Sequence, residues 1–296
     1  MQRFNAVLNL LSVVVIIFAA TMLLPLGLSL HLADGAEQAY DTAILATALA
    51  GGLSWMSTRG RQRELQARDG FLLVTLAWTV LPAFGALPLL SYLPRLSFTE
   101  AYFEAMSGLT TTGATVLTGL DRLPPSINFW RCELQWLGGM GILVLVVAIL
   151  PLLGVGGRQI LKAETPGPMK DTKLTPRITG TAKGLWGVYV LLTIACALAM
   201  RWAGMSWLDA VMHAFTTMST GGFSPYDASF SHWNSPAIEA VTIVFMLIAG
   251  INFATHFKAL RKRSLMPYRE DPEARVFLAV IAVSIVGITL FLLAKG

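Results

Sequence analysis

Apolar residues run almost without a break through seven stretches of this chain, at residues 7–30, 42–56, 71–92, 129–153, 185–202, 238–257 and 276–293. As helices, such stretches reach across the roughly 30 Å of hydrocarbon in a bilayer. The first follows Arg3 and looks at a glance like a secretion signal. A signal core is only about 7–15 residues long and ends at a small-residue cleavage site; this stretch is longer, so it reads as a retained span. Between the third and fourth spans, and again between the fifth and sixth, lies a shorter amphipathic run. Residues 98–109 fill about 18 Å as a helix, at 1.5 Å per residue, which is too short to cross.

The two short runs are one pattern written twice. TEAYFEAMSGLTTTGAT and LDAVMHAFTTMSTGGFS superpose at an offset of 109, pairing Glu100 with Asp209, Ala101 with Ala210, Ala105 with Ala214, Thr111 with Thr220 and Gly113 with Gly222. The same offset pairs Gly141 with Gly250 in the following spans. A span, a half-length helix, a glycine turn and a second span, repeated, predicts an all-α polytopic membrane fold with re-entrant loops. The divisions are 1–70 (two N-terminal spans), 71–157 (first unit), 158–183 (basic loop), 184–260 (second unit) and 261–296 (a linker and the first span of a third unit).

Composition agrees with the pattern. Hydrophobic residues make up 55% and charged residues 13%, about half the charged share of a soluble domain. The net charge of +5 would suggest nucleic acid in a soluble protein, but its placement points to a membrane. With the N-terminus in the cytoplasm, 17 of the 22 Lys and Arg residues fall in inside segments and only Arg95, Arg122 and Arg201 fall outside. Cationic residues mark the cytoplasmic side, so the N-terminus is expected inside, with both glycine loops entering from the outside. Cys132 and Cys196 lie inside spans without metal-type spacing and read as small buried hydrophobes.

A loop stranded at membrane depth is tolerated only where it lines a watery path or is buried in protein. Thr110, Thr111, Thr112, Gly113 and Ala114 offer neither a carboxylate nor a nucleophile–base pair. They offer peptide carbonyls, with glycine allowing a backbone angle that turns them to one side. Thr220, Gly221, Gly222 and Phe223 repeat the offer. Carbonyls aimed inward replace the hydration shell of a monovalent cation, and the C-terminal end of the preceding half-helix favours positive charge. The bland alternative, a helix cap and turn, is set against two copies in one topological position. Glu104 and His213, 109 apart on the half-helices, are expected to support the loops from behind or to act on the ion. Glu133, near Arg131, and Glu239 read as interface anchors, and His256 as interfacial. Gly138, Gly139, Gly141 and Gly250 read as close-packing sites or as clearance below the loops. No His-Glu-x-x-His, Gly-x-Ser-x-Gly or P-loop pattern is present, and no enzyme is expected.

SGLTTTGAT, RCELQWLGGMGILVL, AFTTMSTGGFSPYD and FMLIAGINFATHF, taken in order, resemble the TrkH branch of the Trk/Ktr/HKT superfamily of potassium transporters. The likeness covers essentially the whole chain. It implies four span–pore helix–span units around one K⁺ path in a bacterial inner membrane, with Gly113 and Gly222 as two of four filter glycines. The carbonyls of Thr111, Thr112, Thr220 and Gly221 are then the expected ion contacts, and K⁺, with Na⁺ as an alternative, the transported ion. It also implies a homodimer that binds cytosolic nucleotide-binding subunits of the TrkA type, and no bound cofactor. The chain departs from the pattern by supplying two units and the opening span of a third, so it is expected to be a fragment of a longer transporter. Two other readings stay open. One is a non-conducting scaffold whose basic loops bind a partner or lipid. The other is a proton-coupled carrier using Glu104, Glu133 or Glu239.

Overall fold

The computed structural model describes residues 2–59, 67–141 and 178–295; among them every regular element is helical. Helices α1 (Gln2–Thr21) and α2 (Leu23–Leu32) form one apolar rod, Phe4–Leu32. It pairs with α3 (Glu37–Thr58), which runs beyond the predicted 42–56 at both ends. Gly51 sits where a methyl group would lie 2.8 Å from Ile16, so the missing side chain lets α1 and α3 close on each other. Helices α4 (Ala67–Gly85) and α5 (Leu87–Tyr92) make the next crossing, Arg68–Tyr92.

The first half-length helix, α6 (Phe98–Leu109), is followed by an extended loop, and α7 (Pro125–Gly139) returns beside it. Helix α8 (Ile178–Trp202) then crosses, α9 (Trp207–Met218) is the second half-length helix, and α10 (Pro236–Gly250) returns. Alanines four residues apart put a smooth stripe on each half-helix: Ala101 and Ala105 on α6, Ala210 and Ala214 on α9, all fully buried. Those stripes let the neighbouring spans approach closely. Around the first pack Phe18, Tyr40, Leu89, Ile127, Trp130 and Leu134; around the second, Tyr189, Cys196, Met200, Met205 and Ile238.

Each half-helix starts on a serine cap, and the two serines again differ by 109. Ser97 Oγ accepts from the Glu100 amide at 3.3 Å while the Glu100 carboxylate accepts from the Ser97 amide at 2.8 Å. Ser206 Oγ accepts from the Asp209 amide at 3.1 Å and donates to the Asp209 carboxylate at 2.7 Å. The Ser97–Glu100 pair is a full capping box and satisfies two backbone donors, whereas the Ser206 cap satisfies one. The hydroxyl and amide of Ser97 hold the exposed Glu100 carboxyl below its usual range.

Two expectations about the spans are corrected. The stretch 238–257 is not one straight helix. It breaks after Gly250, and α11 (Phe253–Lys262) leaves at 93° to α10. Ile251 is extended, and Asn252 caps the new helix by accepting from the Ala254 amide at 3.0 Å. The apolar run hides this break because Ile251, Phe253 and Phe257 continue it, and the basic residues start only at Lys258. Helix α7 begins at Pro125, ahead of the expected start at 129; residues 142–153 of that run and most of the basic loop 158–183 lie outside the described residues. A short α12 (Met266–Glu270) leads into α13 (Pro272–Lys295), long and apolar enough to cross. Both cysteines are buried and free.

Removing either cap, by Ser97→Ala or Ser206→Ala, should cost about 1 kcal/mol. The double variant should lose about the sum, because the sites share no partner. Denaturant titration in mixed micelles, followed by tryptophan fluorescence, checks both values.

Candidate ion-binding site

The half-helices end in the same way. The Thr111 amide donates to Gly108 O and the Thr112 amide to Ser107 O, each at 2.9 Å. The Thr220 amide donates to Thr217 O at 3.0 Å and the Gly221 amide to Thr216 O at 2.9 Å. These are the crossed bonds of a Schellman cap, whose pivot takes a left-handed backbone. The pivots are Thr111 (φ 55°) and Thr220 (φ 52°), and two residues on come Gly113 (φ 76°) and Gly222 (φ 83°). Positive φ is an uncommon state for a β-branched residue, yet threonine holds it at both pivots. The cap and the candidate filter are therefore one structure, not alternatives. Thr110 Oγ1 donates to Met106 O at 2.7 Å and shares a 2.8 Å hydrogen bond with the Thr112 hydroxyl, fixing the threonine row to its helix.

The two loops meet. A methyl group on Gly113 would sit 2.0 Å from the Gly221 carbonyl oxygen, so only glycine fits there. Gly222 has nothing within 4 Å of the same position and opens onto free space. Thr110, Thr112, Ala114, Thr220 and Gly222 are exposed, whereas Gly221 and Phe223 are buried. Gly138 supports the first loop from below, because a side chain there would strike the Leu109 carbonyl at 1.9 Å. Gly139 makes room for Tyr189 and Ser219, Gly141 lies against Trp78, and Gly250 lies against Phe277.

Behind the loops sits a buried ion pair. Arg131 Nη2 lies 2.8 Å and Nε 2.9 Å from Glu104 Oε1, with both side chains almost wholly shielded. The carboxylate also accepts from the Thr115 hydroxyl at 2.8 Å and the Val116 amide at 3.1 Å. The guanidinium reaches into the other unit, donating to Ser224 O at 3.1 Å, and it lies over the Phe223 ring at 4.5 Å from its centroid. It donates as well to Asn128 Oδ1 at 3.2 Å and Thr115 Oγ1 at 3.3 Å. Arginine suits this place because its planar fork serves several acceptors while its face stacks on a ring.

Three further bridges join the loops. Gln135 Oε1 accepts from the Phe223 amide at 3.0 Å. Asp227 accepts from the amides of Gly119 at 2.8 Å and Leu120 at 3.1 Å. Asn128 Nδ2 donates to Leu120 O at 2.8 Å and to Pro225 O at 3.4 Å. Sequence reasoning missed all of these residues. The signals it had were an arginine inside an apolar run, which marks a functional position in a membrane, and the Ser-Pro-Tyr-Asp that follows the second glycine loop.

His213 stands where Glu104 stands in the first unit. Its Nδ1 donates to Asp209 O at 2.9 Å, which leaves Nε2 to accept from the Ser224 hydroxyl at 3.3 Å. Thr115 and Ser224 are themselves 109 apart, so both half-helices hold the descending strand of their loop through one hydroxyl. Phe230 and Trp233 meet the imidazole edge-on at 5.0 and 4.9 Å.

Two of the interfacial readings are corrected, those of Glu133 and His256. Arg131 pairs with Glu104, not Glu133, because residues two apart point to different sides of a helix. Glu133 is buried, with Oε2 lacking a partner. His256 is buried at the α10–α11 bend, its Nδ1 2.9 Å from the Tyr268 hydroxyl and its Nε2 2.9 Å from Ile248 O. Glu239 is exposed in the first turn of α10. Among the described residues, no group of three His, Cys, Asp or Glu side chains is placed to hold a metal ion.

The family model for TrkH, described as a cation transport protein, matches residues 36–295. The Trk system potassium uptake protein TrkH of Escherichia coli K12 is 50% identical over 292 residues, which is 98% of this chain and 60% of the relative. The TrkH of Halomonas elongata is 51% identical over 277 residues, 93% of this chain and 58% of the relative. The crystal structure of the potassium transporter TrkH from Vibrio parahaemolyticus superposes with a TM-score of 0.85 at 43% identity, over 99% of this chain and 60% of that one. The chain thus spans about three-fifths of the length of the relatives it matches.

Arg131→Met should destabilise the protein by about 3–5 kcal/mol, because it strands a buried carboxylate. Combining it with Glu104→Gln should recover a large part of that loss. A double-variant cycle read by thermal unfolding in detergent checks the coupling.

Proposed function

We propose that this chain, which belongs to the TrkH family of cation transport proteins, forms two quarters of a K⁺ path through the bacterial inner membrane. The family is one of transporters and not of enzymes, and this chain is a multi-pass membrane protein. The reading holds that backbone carbonyls of Thr111, Thr112, Thr220 and Gly221 dress a dehydrated cation, with Gly113, Ala114, Gly222 and Phe223 completing the two loop segments. Thr110, Glu104 and His213 hold those loops in place. The observation that carries it is the meeting of two loops with the same left-handed pattern, one against the other at Gly113 and Gly221.

The absence of a fixed carboxylate from the two loop segments suits a monovalent cation. A monovalent cation leaves its water for uncharged oxygen dipoles without a fixed carboxylate in contact. Glu104 is neutralised by Arg131, so the support behind the loops adds no net charge that would trap the ion. Two further units of the same kind would close the oxygen ring. The relatives named above are potassium uptake proteins; Na⁺ is the competing ion to be discriminated.

The same proposal includes a homodimer, a cytosolic TrkA-type nucleotide-binding subunit and an N-terminus in the cytoplasm. What supports the orientation is the crowding of Lys and Arg into alternate connecting segments. The resemblance alone supports the partners.

The test is a chimaera in which residues 1–296 replace the matching part of the Vibrio parahaemolyticus TrkH, expressed in cells that lack K⁺ uptake. It should restore growth on limiting K⁺. Gly113→Ser and Gly222→Ser should each remove K⁺ uptake or its discrimination from Na⁺ while membrane insertion stays normal, as read by Rb⁺ and Na⁺ flux. Unchanged flux in both variants would leave the two units as a scaffold.

A further inference from the structure

At the end of the second unit the chain turns sharply, with α11 at 93° to α10; with α10 set along the membrane normal in the orientation proposed above, α11 runs in the plane of the membrane. In the corner between α11 and the start of α8 lies an open groove of about 330 Å³, walled by Gly184, Gly187, Val188 and Leu191 on one side and Phe257 and Leu260 on the other. Arg261 stands at its edge. That volume would hold on the order of ten waters of liquid, but the walls are mostly apolar and Arg261 is the one charged side chain among them.

The surroundings are those of a headgroup region. Lys183 precedes the groove on α8, and Lys258, Lys262 and Arg263 flank it on α11 and its C-cap. Lys262 is shared at 4.0 Å with Glu270, and both are exposed. Large apolar side chains stand out beside these cations: Leu260, Leu265 and Met266 are exposed, as is Trp186 on α8. A surface helix with cations on one side and exposed leucine and methionine beside them lies at the boundary between headgroups and acyl chains. Tryptophan collects at the same level.

We propose that this groove binds one anionic phospholipid of the cytoplasmic leaflet, with an acyl chain between α8 and α11 and its phosphate against Arg261 and Lys258. The assignment rests on the membrane orientation proposed above and not on ion conduction. A hydrocarbon chain fits where water has no partners, and the cations single out a negative headgroup. A cytosolic protein could meet the same charges, but a narrow apolar slot between two helices is matched by an acyl chain.

Gly187 makes the idea testable without disturbing the fold, because a side chain there meets nothing within 4 Å. The full chain in detergent would be offered phosphatidylglycerol or phosphatidylcholine with the same acyl chains, and bound lipid counted by native mass spectrometry. One phosphatidylglycerol should be retained where phosphatidylcholine is lost. Gly187→Leu, or Leu191→Trp as a second way of filling the groove, should abolish retention of both lipids while the chain elutes and melts as before. Lys258→Gln and Arg261→Gln should each lower the preference for phosphatidylglycerol about five-fold. Equal retention of the two lipids would overturn the proposal and leave the basic face to a cytosolic protein. Retention unchanged by both groove-filling variants would overturn it too, since the charges would then act as an open patch. Lipid retention is read without ion flux, so this idea and the K⁺ reading fail separately.

Discussion

The two loops are held in register by one buried ion pair. A guanidinium and a carboxylate enclosed at membrane depth cost several kcal/mol each in lost hydration, recovered only when every donor finds an acceptor. Arg131 meets that condition by drawing acceptors from both units: Glu104 and Thr115 from the first, Ser224 from the second, with Phe223 beneath its face. Shifting either loop by an ångström would leave a charge unpaired in low dielectric. The pair therefore does less to raise stability than to forbid other arrangements of the loops. Such a constraint suits a site whose work depends on where a few carbonyl oxygens stand.

The repeat is faithful in its backbone and unequal in its chemistry. Caps, pivots and glycines recur at 109 residues, and so does the hydroxyl that ties each half-helix to its loop. The clamp does not recur. The positions matching Asn128, Arg131 and Gln135 in the second unit are Ala237, Ala240 and Val244, so the first unit supplies the polar side chains that fasten both loops. The substitution of His213 for Glu104 follows from that. With no second guanidinium to balance it, a buried carboxylate would be stranded, whereas a neutral imidazole can bridge Asp209 O and Ser224 Oγ without net charge.

The sequence was legible wherever a pattern repeated or a helix was bounded by composition. The half-helix at 98–109 falls where the short apolar run put it, and so do the glycine loops. Contacts between distant residues were not legible. Glu133 is Arg131's near neighbour in sequence, but helical rotation sends the two apart, and the true partner lies 27 residues away across a hairpin. The bend after Gly250 escaped because hydropathy stays high through Ile251 and Phe253. The local signal was Asn252, a capping residue in the middle of an apolar run. His256 looked interfacial because Lys258 follows it, yet the bend folds it back onto Tyr268 and Ile248.

Gly113 and Gly222 are equivalent in the repeat but not in what requires them. Both have positive φ, which costs a residue with a side chain of order 1–3 kcal/mol. That cost alone does not demand glycine, since Thr111 and Thr220 carry it two residues earlier in each loop. They can do so because the crossed cap bonds over-determine the turn. At Gly113 a second reason is added: the neighbouring carbonyl of Gly221 leaves no room for a methyl group. At Gly222 the space is open, and what would be lost to a side chain is the free volume itself. One glycine lets the loops meet, and the other leaves open space beside them.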